Sequence, residues 1–559
     1  MPSRPLAVLL LVGAFAVESY AGTPREDLLR FVPDDVGFCL VVQNLRGQLR
    51  EWAASPFAQR LRDSADAKRL RASPEWQQLK QAQQYLEKHL GITAERLFED
   101  VLGEAFAFAY RPGPPGKQDQ EQGLFLLRAR DEKALAGLVT RLNGLQRDTG
   151  ELKALEEVEH RGVRYVRRRE ANTTNYYFLS GPVLLFSGQE GLLRQAVERG
   201  GRADPEPALV RQMRELQLDG ALVGLLLNPR PWDGAVAAKS DEPAARMAAR
   251  AWKALGGVGL GLHLERDVRL SLSVQMRTDD LPASARRFLV EASKPSEGPQ
   301  APDEALLAVN GRIDLASAYE FLAECLPKSA RQAMEGEFAR TLGAVLGRDV
   351  VKDVLPALGP DWSLCVTAPP ADGKAWAPRV VAAVRLARGD EGDPTDEAVL
   401  AAVHSFAMLA VLGHNKQHPD RPARLRSTPS EGARIRYAES NALPSGVKPA
   451  FALKGGYLVL ATSPAEVGRF TASAAAEQAP LFHSSLKAWR AYLGSRREAL
   501  AEAVACKGGL TREQALAKVE ELRSALELFD RVELRRKVSP GRAVFTLTLT
   551  PSAPMRSRP

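Results

Sequence analysis

In several stretches of this chain apolar residues recur with period two, and others form short continuous apolar runs. Period two places alternate side chains on opposite faces of a strand, so these stretches predict β-structure. In the first half, residues 36–42, 105–110 and 124–130 read as strands. In the second half 305–309, 362–366 and 380–388 follow in the same order. Pro33-Asp34-Asp35 precedes the first series, and Pro302-Asp303-Glu304 precedes the second.

Each series then changes to a helical period. Leu135, Leu138, Val139 and Leu142 share one face of a predicted helix, and Val399, Val403, Phe406 and Ala410 share another. Strands at 162–166 and 432–437 come next. The hairpin at 176–186, turning at Gly181, matches that at 450–460, turning at Gly455-Gly456. Ser187 with Glu190, and Ser463 with Glu466, carry the spacing of a capping box. Pro464 suits a first helical position.

Both halves close with a hairpin, 258–265 with 268–276 and 532–538 with 543–550. Leu270, Leu272 and Val274 alternate with Ser271 and Ser273, and Phe545, Leu547 and Leu549 alternate with Thr546 and Thr548. This pattern predicts half-buried antiparallel strands with the serines and threonines on the polar face. The fold class read from the sequence is α+β. It consists of two tandem duplicated domains, each an antiparallel sheet with helices packed on one face. The boundaries are a signal peptide at 1–21, a first domain at 22–292, a Pro-rich linker at 293–302, a second domain at 303–550 and a disordered tail at 551–559.

The order PDDVGFCLVV, LGEAFAFAY, GLFLLRARD and YYFLSGPVLLFSGQEG resembles uncharacterised exported bacterial proteins built from duplicated α+β halves, a domain of unknown function. The resemblance covers most of the mature chain. It implies export and the duplicated fold, and brings no catalytic residues with it.

The N-terminus agrees with export. Arg4 precedes an apolar stretch at 6–17, and Ser19-Tyr20-Ala21 places small residues before a cut at Gly22. The predicted location is therefore the periplasm or the extracellular space. No later run reaches the ~20 uninterrupted apolar residues of a spanning helix, so no transmembrane segment is expected in the mature chain. The 559 residues are 45% hydrophobic and 26% charged, which excludes a wholly disordered or fibrous chain. With 76 Lys and Arg against 68 Asp and Glu, the net charge of +8 is small for this length. Cys39, Cys325, Cys365 and Cys506 form no CxxC pair; Cys39 and Cys365 sit in strand-like runs and read as buried hydrophobes.

The signatures HExxH, GxxxxGK[ST], GxSxG and the EF-hand loop are all missing. Gly257, Gly259 and Gly261 alternate as in a close-packed strand. His414 and His418 are four apart, with His404 and Asp420 near, which is metal-ligand spacing; Gly413 and Pro419 make a solvated loop the favoured reading. Ser484 and Lys487 form an SxxK without its partner motifs, and Ser484 or Ser485 is better read as a helix cap. Asp34-Asp35 and Asp303-Glu304 suit turns. His89 suits a helix end. Arg161, Arg164, Arg167, Arg168 and Arg169, with Arg434 and Arg436 in the matching strand and Arg128, Arg130, Arg385 and Arg388 at neighbouring strand ends, predict a solvated surface or a cationic binding face.

No catalytic, cofactor-binding or metal-binding residue is assigned, and no cofactor. The reading is an exported, non-enzymatic binding, scaffolding or envelope-associated protein. Its partner classes are an anionic envelope component or another exported protein, and no nucleic acid. The alternative is a hydrolase or metal-dependent enzyme with its site at the junction of the two halves.

Overall fold

A computed structural model describes residues 23–552, apart from 203–205, 238–242, 297–301, 345–346, 371–374, 388–393 and 473–478. The predicted signal peptide, half of the linker, Arg388 and most of the predicted tail lie outside the described residues. The chain mixes helix with antiparallel strand and forms two compact units. The first holds the described residues up to Gly47, Leu79–Arg111 and Gln120–Arg214. The second holds Gln48–Gln78, Pro112–Asp119 and the chain from Glu215 onward. These units are cut differently from the expected 22–292 and 303–550. The hairpin that closes the first half is hydrogen-bonded to the hairpin that closes the second, along residues 268–275 and 542–549.

The first unit contains β1 (Phe38–Gln43), β2 (Ala105–Arg111), β3 (Gln122–Arg128), β4 (Leu152–His160), β5 (Val163–Glu170), β6 (Thr174–Ser180) and β7 (Val183–Ser187). Their order in the sheet is β1-β2-β3-β7-β6-β5-β4, and every neighbouring pair is antiparallel. The register gives the sheet one face of mostly small residues, with Cys39, Ala107 and Ala109 beside Leu124 and Leu126. The other face carries Phe38, Phe106, Phe108, Phe125 and Leu127. Helices pack on both faces, which corrects the one-face expectation for this unit. Helix α1 (Pro24–Leu29) lies on the small-residue face, where Asp27 pairs with Arg128. Helix α2 (Glu132–Asp148), capped by Asp131, lies on the aromatic face. There Leu135 packs with Leu127, Phe125, Leu184 and Leu179. Helix α3 (Glu190–Gly200) returns to the first face, with Glu190 on Tyr165 and Arg167. The reason is volume: alternating Ala and Phe along β2 produce two apolar faces, each needing a cover of its own.

The second unit contains β8 (Val223–Leu227), β9 (Leu255–Leu264), β10 (Val268–Met276), β11 (Leu307–Arg312), β12 (Leu358–Thr367), β13 (Arg379–Leu386), β14 (Arg424–Ser430), β15 (Ala433–Glu439), β16 (Ala450–Lys454), β17 (Tyr457–Ala461), β18 (Phe482–Ser485), β19 (Phe529–Ser539) and β20 (Arg542–Pro551). They form one antiparallel series, β8-β9-β10-β20-β19-β18-β11-β12-β13-β17-β16-β15-β14. Its last seven strands run in the order 11-12-13-17-16-15-14, which parallels the order 1-2-3-7-6-5-4 of the first unit. Helix α4 (Pro394–Gln417) sets His404 against Phe451. The shorter α5 (Pro464–Arg469) buries Val467 with Ile435, Ala452 and Val459 on the opposite face. Helix α6 (Leu486–Ser495) buries Leu493 with Leu306.

The two expected capping boxes resolve differently. Ser463 accepts from the Glu466 amide, while the Glu466 carboxylate turns to Arg379 and Arg469. Ser187 instead accepts from the Gln189 amide, and the cap position of α3 falls on Gln189. Glu190 is thereby released to the sheet.

In β9 and β10 the small residues are the buried ones. Gly259 faces Leu216 and Leu218 so closely that a Cβ there would lie 2.9 Å from the Leu216 Cβ. Overpacking of this kind costs about 1–3 kcal/mol. Gly259→Ala should therefore destabilise the protein by roughly that amount, whereas Leu260→Ala, next in sequence on the other face, should cost less than about 1 kcal/mol. Urea unfolding of the two variants checks the order, which would reverse if the leucine face were the core.

Candidate binding face

The register continues the two faces of β9 and β10 across five adjacent strands. On one face lie Gly257, Gly259 and Gly261, Ser271 and Ser273, and Val544; Ser271 is 9% exposed and Ser273 is 0% exposed. On the other face the register aligns Leu225, Leu260, Leu272 and Phe545, then Val223, Leu262, Leu270, Leu547 and Leu534. None of these large side chains is fully buried, and Leu260 and Leu270 remain 46% and 44% exposed. The expectation that Ser271 and Ser273 form the solvated side is thus reversed. Close packing of the turn segment that carries Leu216 and Leu218 selects the small residues, because they allow it to approach the sheet backbone.

One charged residue shares the open apolar face. Arg536 stands directly opposite Phe545, between Leu534 and Val538. It has no hydrogen bond or ion pair among the described residues, and burial holds its guanidinium below the ordinary arginine range. Its neighbours Arg535 and Arg531 differ, since both pair with Glu533 on the opposite face. The pattern of the sequence carried this signal in the break Val532, Leu534, Arg536, Val538, which the strand reading passed over.

The residues singled out from the sequence lie elsewhere. His404 and His414 belong to α4 and not to a loop, and ten helical residues separate them by about 15 Å. The His414 and His418 rings lie 4.7 Å apart and tilted by 42°, and a His414 ring nitrogen meets Ser440 and the Arg421 carbonyl. No group of three or more His, Cys, Asp or Glu able to hold a metal occurs among the described residues. Ser485 caps α6, Ser484 donates to the Leu306 carbonyl, and Lys487 is exposed. Asp34 takes two hydrogen bonds from Arg199, at 2.7 and 2.6 Å, and Asp35 pairs with Arg111. The Asp303 carbonyl meets His483, and Glu304 is exposed. Cys39 is fully buried, its thiol pushed up to about 12 by desolvation; Cys365 is shifted the same way, and Cys506 is exposed.

The arginine strand is neutralised. Arg161 pairs with Glu198, Arg164 with Glu159, Arg167 with Glu156 and Glu190, Arg168 with Glu170, and Arg169 with Glu156. Arg128 and Arg130 pair with Asp27 and Asp100. Arg385 reaches the fully buried Asp361, which Arg312 also holds at 2.8 Å. Burial raises the Asp361 pKa despite the charge and hydrogen bond of Arg312.

Two further surfaces stand out. A cavity of about 970 Å³ is lined by Tyr319, Arg331, Glu335 and Asp349 among others. Arg331 and Tyr319 both donate to Glu335 and hold its carboxyl below the usual range, so it serves as an acceptor. Helix α4 leaves Phe406, Met408, Leu409 and Leu412 exposed, although Phe406 and Ala410 were placed on one face with Val399 and Val403. Its segment Asp396–Gln417 is long and apolar enough to cross a membrane. His404, Ser405 and His414 interrupt its apolar run.

Comparison with known proteins gives no match to a family model, a curated protein or a solved structure.

In the first unit the carboxylate of Glu190 joins Tyr165, Arg167 and Arg194. Burial raises its pKa, but hydrogen bonds from Tyr165 and Arg167 and the charge of Arg194 outweigh that and lower it below 4.5. A depressed carboxyl contributes stability above its unfolded pKa and loses it as pH falls through the folded value. Glu190→Gln should cost about 1–2 kcal/mol at pH 7, a range discounted for partial exposure, and should flatten the acid-side loss of stability below about pH 4.5. Thermal unfolding followed from pH 7 to pH 3 checks both.

Proposed function

We propose that this chain is an exported, non-enzymatic binding protein of the cell envelope, and that its ligand is apolar. The observation that carries the reading is the open face of β8, β9, β10, β20 and β19. Five strands place large aliphatic and aromatic side chains on one face, with Leu260 and Leu270 largely exposed, while the glycines of β9 and the serines of β10 are packed on the other. A contiguous exposed apolar patch of this kind marks a site for an apolar ligand, a membrane or a protein partner. The signal-like segment at 1–21 supports export, and the paired arginine strand argues against a general polyanion surface.

The two halves are read as copies of one ancestral unit. The parallel strand orders of the two units and the recurring Pro-Asp and Gly-turn motifs support this reading, as does the resemblance to exported proteins with duplicated halves. In the ancestral plan the aromatic face is covered by the helix after the third strand, as α2 covers β3, β7 and β6. Among the described residues the segment 281–289 packs against the closing hairpins at Met276, and Leu260 and Leu270 stay exposed for a ligand.

The test is binding of the neutral dye Nile red to the mature protein. Leu260→Gln combined with Leu270→Gln should remove most of the fluorescence gain, whereas Leu409→Gln with Leu412→Gln on α4 should retain it. Unchanged binding by the sheet variant rejects the face as the site. Intact mass of the exported chain should begin at Gly22, and a chain retaining residues 1–21 rejects the cleavage.

A further inference from the structure

The open face is apolar except at one point, and that point is a cation without a counter-ion. A guanidinium drawn out of water carries a large desolvation cost unless an anion meets it. Folded chains place such a group beside a carboxylate, as Arg312 is placed beside Asp361. Arg536 has no such neighbour among the described residues. Cross-strand Phe545 and same-strand Leu534 and Val538 share its face, and Arg536 is half-buried there. Pairing between β18 and β19 ends at Phe482 opposite Leu534, so Arg536 stands just beyond the last residue that β18 covers.

From Arg536 the apolar track runs across β20, β10 and β9 to β8. Four strand spacings of about 4.8 Å make it roughly 19 Å long, the scale of a long hydrocarbon chain. Phe545, Leu272, Leu260 and Leu225 lie in one row along it. The track therefore has a cationic head position and a hydrocarbon tail position in sequence.

Resting on the proposed apolar-ligand function, we infer that this face binds a long-chain amphiphile with a single anionic head group, the head on Arg536 and the chain on the leucine row. A planar guanidinium offers two parallel N–H donors, which fit a carboxylate or a phosphate oxygen pair. One arginine matches one negative charge. Neutral lipids leave the guanidinium unanswered, and cationic amphiphiles oppose it.

The test compares four probes of equal chain length, each titrated against the mature protein: hexadecanoate, hexadecyl phosphate, hexadecanol and hexadecylamine. Hexadecanoate is expected to bind at least about tenfold more tightly than hexadecanol, since a charge-assisted hydrogen bond is worth that much or more. Hexadecyl phosphate separates the two head-group sources by its rank against hexadecanoate. Arg536→Gln should bring hexadecanoate down to the hexadecanol level and leave hexadecanol unchanged. Arg536→Lys should restore part of the preference, and Arg535→Gln, on the opposite face beside Glu533, should change nothing. Equal binding of all four probes would overturn the role of Arg536 while leaving the apolar face as a binding site. Failure of every probe to bind would overturn the face itself. Retained hexadecanoate preference in Arg536→Gln would overturn the inference directly.

Discussion

The close approach permitted by glycine, alanine and serine decides which face of each sheet becomes core. Where β9 offers Gly257, Gly259 and Gly261, the segment carrying Leu216 and Leu218 comes near enough to contact backbone. Where β2 offers Ala105, Ala107 and Ala109, α1 packs with Leu28 and Leu29 fully buried. Burial of a leucine against a flat glycine surface removes both from water with little side-chain entropy lost on the glycine side. The large residues of the same strands are then left on the second face, which must find another cover. In the first unit α2 supplies it for β3, β6 and β7. Across β8, β9, β10, β20 and β19 the second face stays partly open.

This order of priorities explains what could be read in the sequence. Period two at 268–276 and 543–550, the Gly turns at 181 and 455–456, and the succession of strands and helices were legible, because they depend on local backbone chemistry. The direction in which the strands face was not. Alternation fixes that leucines share one side and serines the other, but it carries no information about which side is covered. Polarity alone would send Ser271 and Ser273 to solvent, whereas their small volume places them inside. The same ambiguity misplaced Phe406 on α4, where apolar residues occur nearly all round the helix and no single stripe defines the core side.

Candidate chemistry was legible in a different way. The crowded arginines of β5 were visible, but their meaning depended on Glu156, Glu190 and Glu198, which reach them from β4 and α3. A basic run in one strand is neutral or cationic according to its cross-strand partners, and those follow from pairing that the sequence does not state. The capping motif at Ser187 misled for a related reason. Glu190 gains more from Tyr165, Arg167 and Arg194 than from a backbone amide at a helix start, since charged partners in a half-buried site form the stronger bonds.

Arg536 shows how the two kinds of reading combine. In the sequence it interrupts an alternating apolar series, which an exposed edge strand often does to discourage aggregation. That account requires the cation to be fully solvated. At Arg536 β19 is paired with β20 alone, since β18 ends opposite Leu534, but the guanidinium there is half-buried on a face shared with Phe545, Leu534 and Val538. A protective charge would stand in water, where it costs nothing. One that is held against hydrocarbon without a carboxylate carries a penalty that folding alone does not relieve. The penalty is relieved by an anion that arrives with apolar surface of its own, which ties the lone cation and the uncovered leucines to a single occupant.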